Sequence, residues 1–458
     1  MRVLFAEVAS DIREAMILRG GAAWTSVGVV EDAREIAGRR ADLVIHDVRS
    51  GGETVERLER ATFGCWQLLT HAGPSRYLQL SSMAMFEAYD DGWAIDERWQ
   101  PRPTFIDAEF VPYLAERTAR EMSRRRPVAA VSVRLGRDDD AHEIARVALD
   151  ALNTAAPQHG WRAVHAPRAP RTGAPAVTPR MPLPASMVAG ELAPRRIAVF
   201  GAGGPLGAAS ASAISDAGYR LVLSDVVRLA ERASAPPQQP GAPVPEPVGE
   251  PHREVVADVT DMSAVLDIVR ESDVVVNCSV VRSDASGAFR VNLIGAYTVL
   301  AAALAAGAHR VVHTGPATVL GGDPVGYDDD HTVTAAAPPR AGDDVYLLTK
   351  LLALELCRIA AESTGLPVLI LQFVQLSDPR IRRTDEAHPF TVSWRDGGRA
   401  VTAALTAEVT APLTVFNIHV ESPHGRYATD CWERLGVDPL DRFDHAWHRD
   451  DVPREERT

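Results

Sequence analysis

Lysine is almost absent from this sequence. Of the 48 basic residues among 458, only Lys350 is a lysine and the other 47 are arginines. A coding preference that replaces lysine wherever a generic positive charge suffices explains such a bias. The surviving lysine then indicates a position that arginine cannot serve, because a guanidinium does not deprotonate and is wider and flatter than an ammonium.

Cysteine is also scarce, and no pattern of metal ligands is present. The four cysteines lie far apart and form no CxxC pair. This excludes a disulfide scaffold and a cysteine zinc site, and it favours a reducing compartment. None of the 14 histidines has the spacing of a metal site. We therefore expect no metal.

Positive net charge and long apolar runs are absent as well. The net charge is −13, from 48 basic and 61 acidic residues, which argues against a nucleic-acid or anionic-membrane partner. The longest apolar runs reach about half a membrane span, and the acid at Glu7 does not fit a secretion signal. We expect a cytoplasmic protein with no membrane partner.

Two segments rich in proline and alanine divide the chain. Residues 164–194 are predicted to be an interdomain linker, and residues 233–251 a disordered loop inserted within a domain. Elsewhere, short Val/Ile/Leu runs alternate with longer helical patterns, which is typical of α/β domains with doubly wound parallel sheets. We predict two Rossmann-like domains in tandem, residues 1–163 and 195–458.

The first domain repeats the second in shortened form. Four segments recur in the same order at similar spacing, namely 42–47 and 273–278, 63–69 and 294–300, 75–82 and 309–316, and 113–117 and 346–350. We interpret the chain as an internal repeat and call its halves the first copy (1–163) and the second copy (195–458).

A glycine-rich turn opens the second copy. Gly201, Gly204 and Gly207 follow a predicted strand and precede a predicted helix. Such a turn lets the backbone approach a pyrophosphate, which the free N–H groups of the helix then bind. Asp225 ends the next strand, 18 residues after Gly207, where a carboxylate accepts from ribose hydroxyls and favours NAD. Arg228 nearby keeps NADP as the alternative.

The equivalent turn of the first copy lacks these glycines. Glu7, Ser10 and Arg13 stand in the three glycine positions. Glu7 would place negative charge where a pyrophosphate should lie. The sequence therefore predicts one dinucleotide per chain, bound by the second copy.

Tyr346 and Lys350 lie four residues apart in a predicted helix, so their side chains share one face. A nearby ammonium lowers the pKa of a phenol by favouring the phenolate, and the phenol then serves as a general acid or base. A YxxxK spacing also arises by accident on surface helices. That the sole lysine falls at this spacing favours the catalytic interpretation.

Residues 195–445 resemble an extended short-chain dehydrogenase/reductase of the NAD-dependent epimerase/dehydratase family. The resemblance rests on GAGGPLG at 201–207, VVVNCSV at 274–280, VVHTGPATVLGG at 311–322 and YLLTK at 346–350. It implies an NAD-binding domain with a small C-terminal substrate lobe. It also implies an oxidoreductase or epimerase that acts on a sugar-nucleotide or a similar hydroxyl or carbonyl substrate.

The resemblance also implies a set of site residues. Asp258 would meet the adenine amine, and Cys278 is interpreted as a small core residue rather than a nucleophile. Tyr346 would be the acid/base, and Lys350 would hold the nicotinamide ribose. The full implied cofactor set is Gly201, Gly204, Pro205, Leu206, Gly207, Asp225, Asp258, Val259, Cys278, Ser279, Asn292 and Lys350.

One expected catalytic group is missing. The family places a serine or threonine, which holds the substrate oxygen, where this chain has Pro316. Thr314 and Thr318 flank that position and are predicted to substitute. Ala317 and Thr318 replace the Asp-Glu pair of family dehydratases, which argues against sugar dehydration. The missing hydroxyl keeps open a non-catalytic dinucleotide-binding protein with a scaffold or sensor role.

The first copy keeps the packing helices of the fold and loses its chemistry. Ser82 occupies the hydroxyl position, but Tyr113 is followed by Arg117 instead of lysine. Family members commonly dimerise through two helices, here 288–306 and 345–363, and the first copy retains their counterparts at 62–71 and 110–122. We therefore predict an intramolecular pseudo-dimer of the two copies, in a chain that is a monomer or a higher homo-oligomer.

Overall fold

The computed structural model describes two compact units. It describes residues 1–36, 38–89, 93, 95–136, 139–154, 160–166, 195–237, 240–282, 284–317, 339–380, 391–421 and 430–443. Unit one comprises the described parts of Met1–Met181, Asp284–Arg290 and Ala341–Thr364. Unit two comprises the described parts of Pro182–Ser283, Val291–Arg340 and Gly365–Thr458.

The strands are short, and the inner strands of each sheet are almost wholly buried, as expected where helices cover both faces of a sheet. In chain order the strands are β1 (Arg2–Ala6), β2 (Ser26–Val30), β3 (Leu43–Asp47), β4 (Arg76–Ser82), β5 (Ala129–Leu135), β6 (Gly160–His165), β7 (Arg196–Phe200), β8 (Arg220–Asp225), β9 (Arg253–Val256), β10 (Val274–Asn277), β11 (Arg310–Pro316), β12 (Val368–Phe373), β13 (Gln375–Ser377), β14 (Thr391–Ser393) and β15 (Leu413–Asn417). The edge strands β2, β6, β9 and β15 are partly exposed.

The helices alternate with these strands. In chain order they are α1 (Ser10–Gly20), α2 (Thr54–Glu59), α3 (Cys65–Gln67), α4 (Asp107–Arg125), α5 (Ala141–Asn153), α6 (Pro205–Asp216), α7 (Leu229–Ser234), α8 (Met262–Arg270), α9 (Ala285–Ala288), α10 (Gly295–Ala306), α11 (Val345–Thr364), α12 (Trp394–Ala404) and α13 (Cys431–Leu435). The π turns Arg60–Gly64 and Leu68–Ala72 join α2 and α3 into one helix over 54–72, and the π turn Phe289–Ile294 joins α9 to α10.

Each unit is built on one parallel sheet, and the two strand orders correspond. Unit one has the order β2-β1-β3-β4-β5-β6, and unit two has β9-β8-β7-β10-β11-β12-β15, with β13 and β14 paired separately. The first order equals the second with the β9 position omitted. All described neighbours run parallel, which confirms the predicted doubly wound α/β class.

Two sequence predictions need correction. Residues 240–251 of the predicted disordered loop belong to unit two, where Ala242 is 8% exposed and clusters with Ala209 and Trp394. Small apolar side chains between the prolines provide this packing, which composition alone does not reveal. Strand β6 runs to His165 and so includes the first two residues of the predicted linker. Residues 167–194 of that linker and the tail 448–458 lie outside the described residues.

The helix over 285–306 is long and apolar enough to cross a membrane by length and composition. Its most apolar window is 67% buried within the fold. Burial of this extent is what a packing helix of a globular domain shows, so the helix gives only weak evidence of a membrane span.

Candidate active site

Two glycines of the turn in unit two lie where any side chain would clash with the backbone. Gly201 has φ +74°, and a Cβ there would lie 2.7 Å from the backbone nitrogen of Ser279. A Cβ on Gly207 would lie 2.0 Å from the carbonyl oxygen of Gly201. These contacts bring β7, the loop after β10 and the start of α6 into close approach.

Gly204 is different, because no described protein atom requires it to be glycine. Its φ of −79° is ordinary, and a Cβ would meet only the carbonyl oxygen of Gly201, at 3.4 Å. Gly204 is the N-cap of α6, and Pro205 occupies the first helical position. The N–H groups of Leu206 and Gly207 therefore have no partner within the helix. The open space beside Gly204 and these two donors fit a pyrophosphate.

Asp225 is fixed beside this turn. Its Oδ2 accepts a hydrogen bond of 2.9 Å from the N–H of Gly203, while its Oδ1 makes no hydrogen bond to a described residue. Arg228, which the sequence analysis noted, is exposed. Sequence reasoning missed Arg232, whose Cγ would lie 3.1 Å from a Cβ on Gly203. Its position one turn of α7 beyond Arg228 was the available signal.

Asp258 and Val259 both contact residues of unit two. The Oδ1 of Asp258 accepts hydrogen bonds from the N–H and the hydroxyl of Thr260, at 2.9 and 2.8 Å. Val259 is buried and packs against Gly295, because a Cβ on Gly295 would lie 2.6 Å from the Cγ1 of Val259. Asp258 is exposed, so its carboxylate remains accessible for the predicted adenine contact.

The loop after β10 is held in place by asparagine side chains. Asn277 Oδ1 accepts from the N–H of Ser279 at 3.0 Å. Asn292 accepts from the N–H of Val281 at 2.9 Å and donates to its carbonyl oxygen at 2.8 Å. Asn292 lies in the π turn that begins α10. Both polar atoms of its amide therefore serve the loop, which makes Asn292 a positioning residue for Cys278 and Ser279.

Cys278 lies in the apolar core of unit two and is 7% exposed. Its N–H donates to the carbonyl oxygen of Phe200 at 2.9 Å. This burial agrees with its interpretation as a small core residue.

The predicted substitutes for the missing hydroxyl are only partly described. Thr314 is 6% exposed, and its hydroxyl donates to the carbonyl oxygen of Asn277 at 3.1 Å. Pro316 ends β11 and is buried. Thr318 lies outside the described residues. The hydroxyl hydrogen of Thr314 is therefore donated to the neighbouring strand β10.

Tyr346 and Lys350 lie in the first two turns of α11, which packs within unit one. Asp344 caps this helix, since its Oδ1 accepts from the N–H of Leu347 at 2.8 Å. Lys350 is 2% exposed and Tyr346 is half-buried. Burying an ammonium is costly without compensating partners, so the only lysine of the chain occupies a position where a generic surface charge has no use.

The comparisons with known proteins identify the domain. Residues 197–393 match the family described as NAD dependent epimerase/dehydratase. The second copy contains a domain of this family. The matched residues, here called the epimerase/dehydratase domain, include the glycine turn, Asp225, Tyr346 and Lys350. A search of curated proteins found no match.

Several solved structures are similar to this part of the chain. Glucuronic acid dehydrogenase from Chromohalobacter salexigens is 21% identical, with a TM-score of 0.44 over 55% of this chain and 86% of that one. A mutant uronate dehydrogenase from Agrobacterium tumefaciens complexed with NAD is 20% identical, with a TM-score of 0.44 over 54% and 86%. UDP-glucuronic acid 4-epimerase from Bacillus cereus in complex with NAD is 16% identical, with a TM-score of 0.42 over 55% and 93%. At these identities the likeness concerns the fold.

The first copy has a carboxylate at the turn that corresponds to Gly201 of the epimerase/dehydratase domain. Glu7 has φ +57°, and its Oε1 and Oε2 accept from the N–H of Ala33 at 3.0 Å and the hydroxyl of Ser50 at 2.8 Å. The guanidinium of Arg60 lies 3.6 Å away. Burial raises the pKa of Glu7, against the opposing effect of these partners. The carboxylate is thus bonded to the segments that follow β2 and β3, at a position where the second copy has a glycine.

The first copy also uses its Tyr113 and Arg117 pair differently from Tyr346 and Lys350. The hydroxyl of Tyr113 donates to Glu355 Oε2 at 3.0 Å, and Arg117 lies 3.0 Å from Glu355 Oε1. Burial, followed by the charge of Glu355, raises the pKa of Tyr113. This shift is opposite to what an acid/base phenol near neutral pH needs. Ser82 accepts from the N–H of Ala84 at 3.1 Å and caps a turn.

No metal centre emerges from the described part of the chain. Within residues 1–166 and 195–443, less the gaps given above, no three His, Cys, Asp or Glu side chains are grouped so as to hold an ion.

Proposed function

We propose that the protein is an NAD-dependent oxidoreductase or epimerase of a sugar-nucleotide or a related polyhydroxylated substrate, with one cofactor site per chain. The single observation that carries this proposal is the burial of Lys350, four residues after Tyr346, in a chain with no other lysine. The open space beside Gly204 and the Oδ1 of Asp225, to which no described residue donates a hydrogen bond, support NAD as the cofactor.

The side chains divide the work as follows. Tyr346 exchanges a proton with the substrate hydroxyl, and Lys350 stabilises the phenolate and binds the nicotinamide ribose. Asp225 accepts from the adenosine ribose, and the N–H groups of Leu206 and Gly207 bind the pyrophosphate. NAD, when bound, supplies the oxidising equivalent. Asn292 keeps the loop of Ser279 in place.

The test is turnover with a defined panel of sugars. The purified full chain is incubated with NAD and, in separate reactions, with glucuronate, UDP-glucose and UDP-glucuronate. Absorbance in the reduced-nicotinamide band reports net oxidation, and NMR of the sugar reports epimerisation. We expect one panel member to react with the wild-type chain and not with Tyr346→Phe. Equal rates for the two proteins would overturn the proposed role of Tyr346.

A second candidate function is a non-catalytic dinucleotide-binding protein with a scaffold or sensor role. Pro316 at the hydroxyl position and the bond from Thr314 to Asn277 favour it, because neither offers a free hydroxyl donor. The variant Pro316→Ser separates the candidates. An enzyme is expected to gain turnover from the restored hydroxyl, whereas the non-catalytic protein is expected to bind NAD without turnover in either form.

We also infer that the two copies pair within one chain. Helix α11 of the second copy packs on α4 of the first, through the bonds of Tyr113 and Arg117 to Glu355. The ring of Phe63 lies 5.3 Å from that of Phe289, which joins the other two helices of the predicted interface. Sedimentation of the full chain tests the inference, with a monomer expected. A homodimer that dissociates when Phe63 or Phe289 is changed to Asp would instead indicate pairing between chains.

A further inference from the structure

A buried carboxylate of the first copy holds the segment that leads into the Tyr/Lys helix. Glu121, on α4, is 0% exposed. Its Oε2 accepts hydrogen bonds from the N–H groups of Ala341 at 2.9 Å and Gly342 at 3.2 Å. Gly342 has φ +63°. Successive N–H groups around a left-handed residue converge on one anion, so this turn is shaped to bind a carboxylate.

Further contacts fix the same helix along its length. Each joins a residue at or beside α4 to one at or beside α11. They are Arg126 Nε with Asp343 Oδ2 at 3.3 Å, Tyr113 Oη with Glu355 Oε2 at 3.0 Å, and the N–H of Phe105 with Ser363 Oγ at 3.1 Å. Glu121 and Arg126 are the members of this set whose partners, Ala341, Gly342 and Asp343, lie just before the start of α11.

The carboxylate of Glu121 is buried beside two backbone N–H groups and one guanidinium. A carboxylate removed from water is costly unless it is paired, and Glu121 has compensating partners in two N–H groups and in Arg124, whose Nε lies 3.3 Å from Oε1. Hydrogen bonds to a charged acceptor are about twice as strong as neutral ones. The carboxylate of Glu121 extends from α4 to the turn before α11 and thus fixes where α11 begins.

We propose that Glu121 is a positioning residue for Tyr346 and Lys350, so that the first copy is part of the catalytic apparatus although it has lost its own glycine turn. The catalytic meaning of this placement rests on the proposed function; the placement itself does not. The carboxylate fixes Ala341 and Gly342, which sets the start of α11, and the helix carries Tyr346 and Lys350 as a rigid pair.

The sole lysine gives a direct spectroscopic readout. Lysine-selective isotope labelling of the full chain produces one side-chain NMR signal, that of Lys350, with no assignment problem. Hydrogen exchange of the amides of residues 341–345 is measured in parallel. Neither readout requires turnover or bound NAD.

The variants are Glu121→Ala and Glu121→Gln, with Glu109→Ala as the matched control. Glu109 lies on the same helix, is 5% exposed and also accepts a backbone N–H, that of Thr104 at 2.8 Å. Among the described residues, it makes no hydrogen bond to the 341–364 segment. Loss of either carboxylate costs general stability, but only loss of Glu121 frees the turn before α11.

We expect Glu121→Ala to accelerate exchange at 341–345 by about tenfold or more and to shift the Lys350 signal. Glu121→Gln, which keeps an acceptor oxygen, is expected to restore part of both effects, and Glu109→Ala to leave both unchanged. A wild-type Lys350 signal and wild-type exchange in Glu121→Ala would overturn the proposal. NAD titration of the wild-type signal is a separate arm. Its failure would count against the proposed function and leave the positioning result standing.

Discussion

The turn after the first strand has the same backbone course in both copies and opposite side-chain chemistry. The N–H of Glu7 donates to Val30 at 2.9 Å, and the N–H of Gly201 donates to Ser224 at 2.9 Å. Both residues have positive φ, +57° and +74°. The first copy thus keeps a left-handed conformation that costs a glutamate about 1–2 kcal/mol and a glycine almost nothing.

The two turns differ in side chains and agree in backbone. The strand order and the positive φ after the first strand are common to both units. The carboxylate of Glu7 accepts from the N–H of Ala33, which follows β2, and from the hydroxyl of Ser50, which follows β3. In the second copy, Gly201 places no side chain at the corresponding position.

Filling the open turn is expected to have the largest effect. Gly204→Val should abolish NAD binding, because its side chain enters the pyrophosphate space, while the fold survives because no described atom lies closer than 3.4 Å to the new Cβ. Gly249→Val, where a Cβ meets nothing within 4 Å, is the control. Calorimetry reports the affinity and thermal unfolding the stability. NAD binding that persists in Gly204→Val would remove the turn from the site.

Exchange of the lysine tests the Tyr/Lys helix next. Lys350→Arg should abolish turnover and leave the fold intact, because a guanidinium is bulkier and spreads its charge away from a single phenolate. Arg270→Lys, on the exposed face of α8, is the matched control and should behave as wild type. Full activity in Lys350→Arg would mean that the sole lysine is a coincidence of codon usage.

Two replacements of Glu7 test the left-handed backbone strain at the turn of the first copy. Glu7→Ala keeps the left-handed strain and leaves the N–H of Ala33 unpaired, so it should destabilise the protein by about 1–3 kcal/mol. Glu7→Gly loses the same bonds but relieves the strain, so it should be more stable than Glu7→Ala by about 1 kcal/mol. Urea unfolding of both variants measures the difference. An alanine variant as stable as the glycine variant would contradict the strain assigned to Glu7.

The smallest effect is expected from the pH dependence of a buried histidine. Burial lowers the pKa of His46 to about 3, whereas in the unfolded chain it titrates near about 6.5. Below that pH the unfolded state binds a proton that the folded state does not. The free energy of unfolding therefore decreases by up to about 1.4 kcal/mol for each unit by which the pH is lowered. The repeat aligns His46 with Asn277. Between about pH 7 and 5.5, His46→Asn should lose about 1 kcal/mol less than wild type, as measured by urea unfolding. An equal loss of stability in His46→Asn and wild type would show that another group takes up the proton.

The sequence predicted the features that depend on local spacing. The glycine turn, Asp225 at a strand end and the Tyr346/Lys350 pair follow from the periods of strand and helix, and the parallel sheets follow from their alternation. Contacts between distant segments could not be predicted in this way. The bond of Glu121 to Ala341 joins residues 220 positions apart, and nothing near either residue in the sequence signals the other.

The hydrogen-bond partners of side chains in the site could not be predicted from the sequence either. Thr314 is expected from its position to face a substrate, yet its hydroxyl donates to the neighbouring strand. Asn292 is expected to contact a cofactor, yet both of its amide atoms bind the backbone of Val281. A residue type and a position limit what a side chain is able to do, but its hydrogen-bond partner depends on the packed structure.

The measurement that tests the central claim most directly is calorimetric titration of the full wild-type chain with NAD. The glycines of the second turn, and the negative charge of Glu7 at the equivalent position of the first, predict one site per chain. Two sites per chain would show that Glu7 does not exclude the dinucleotide, and no binding would show that the Gly204 turn does not hold one.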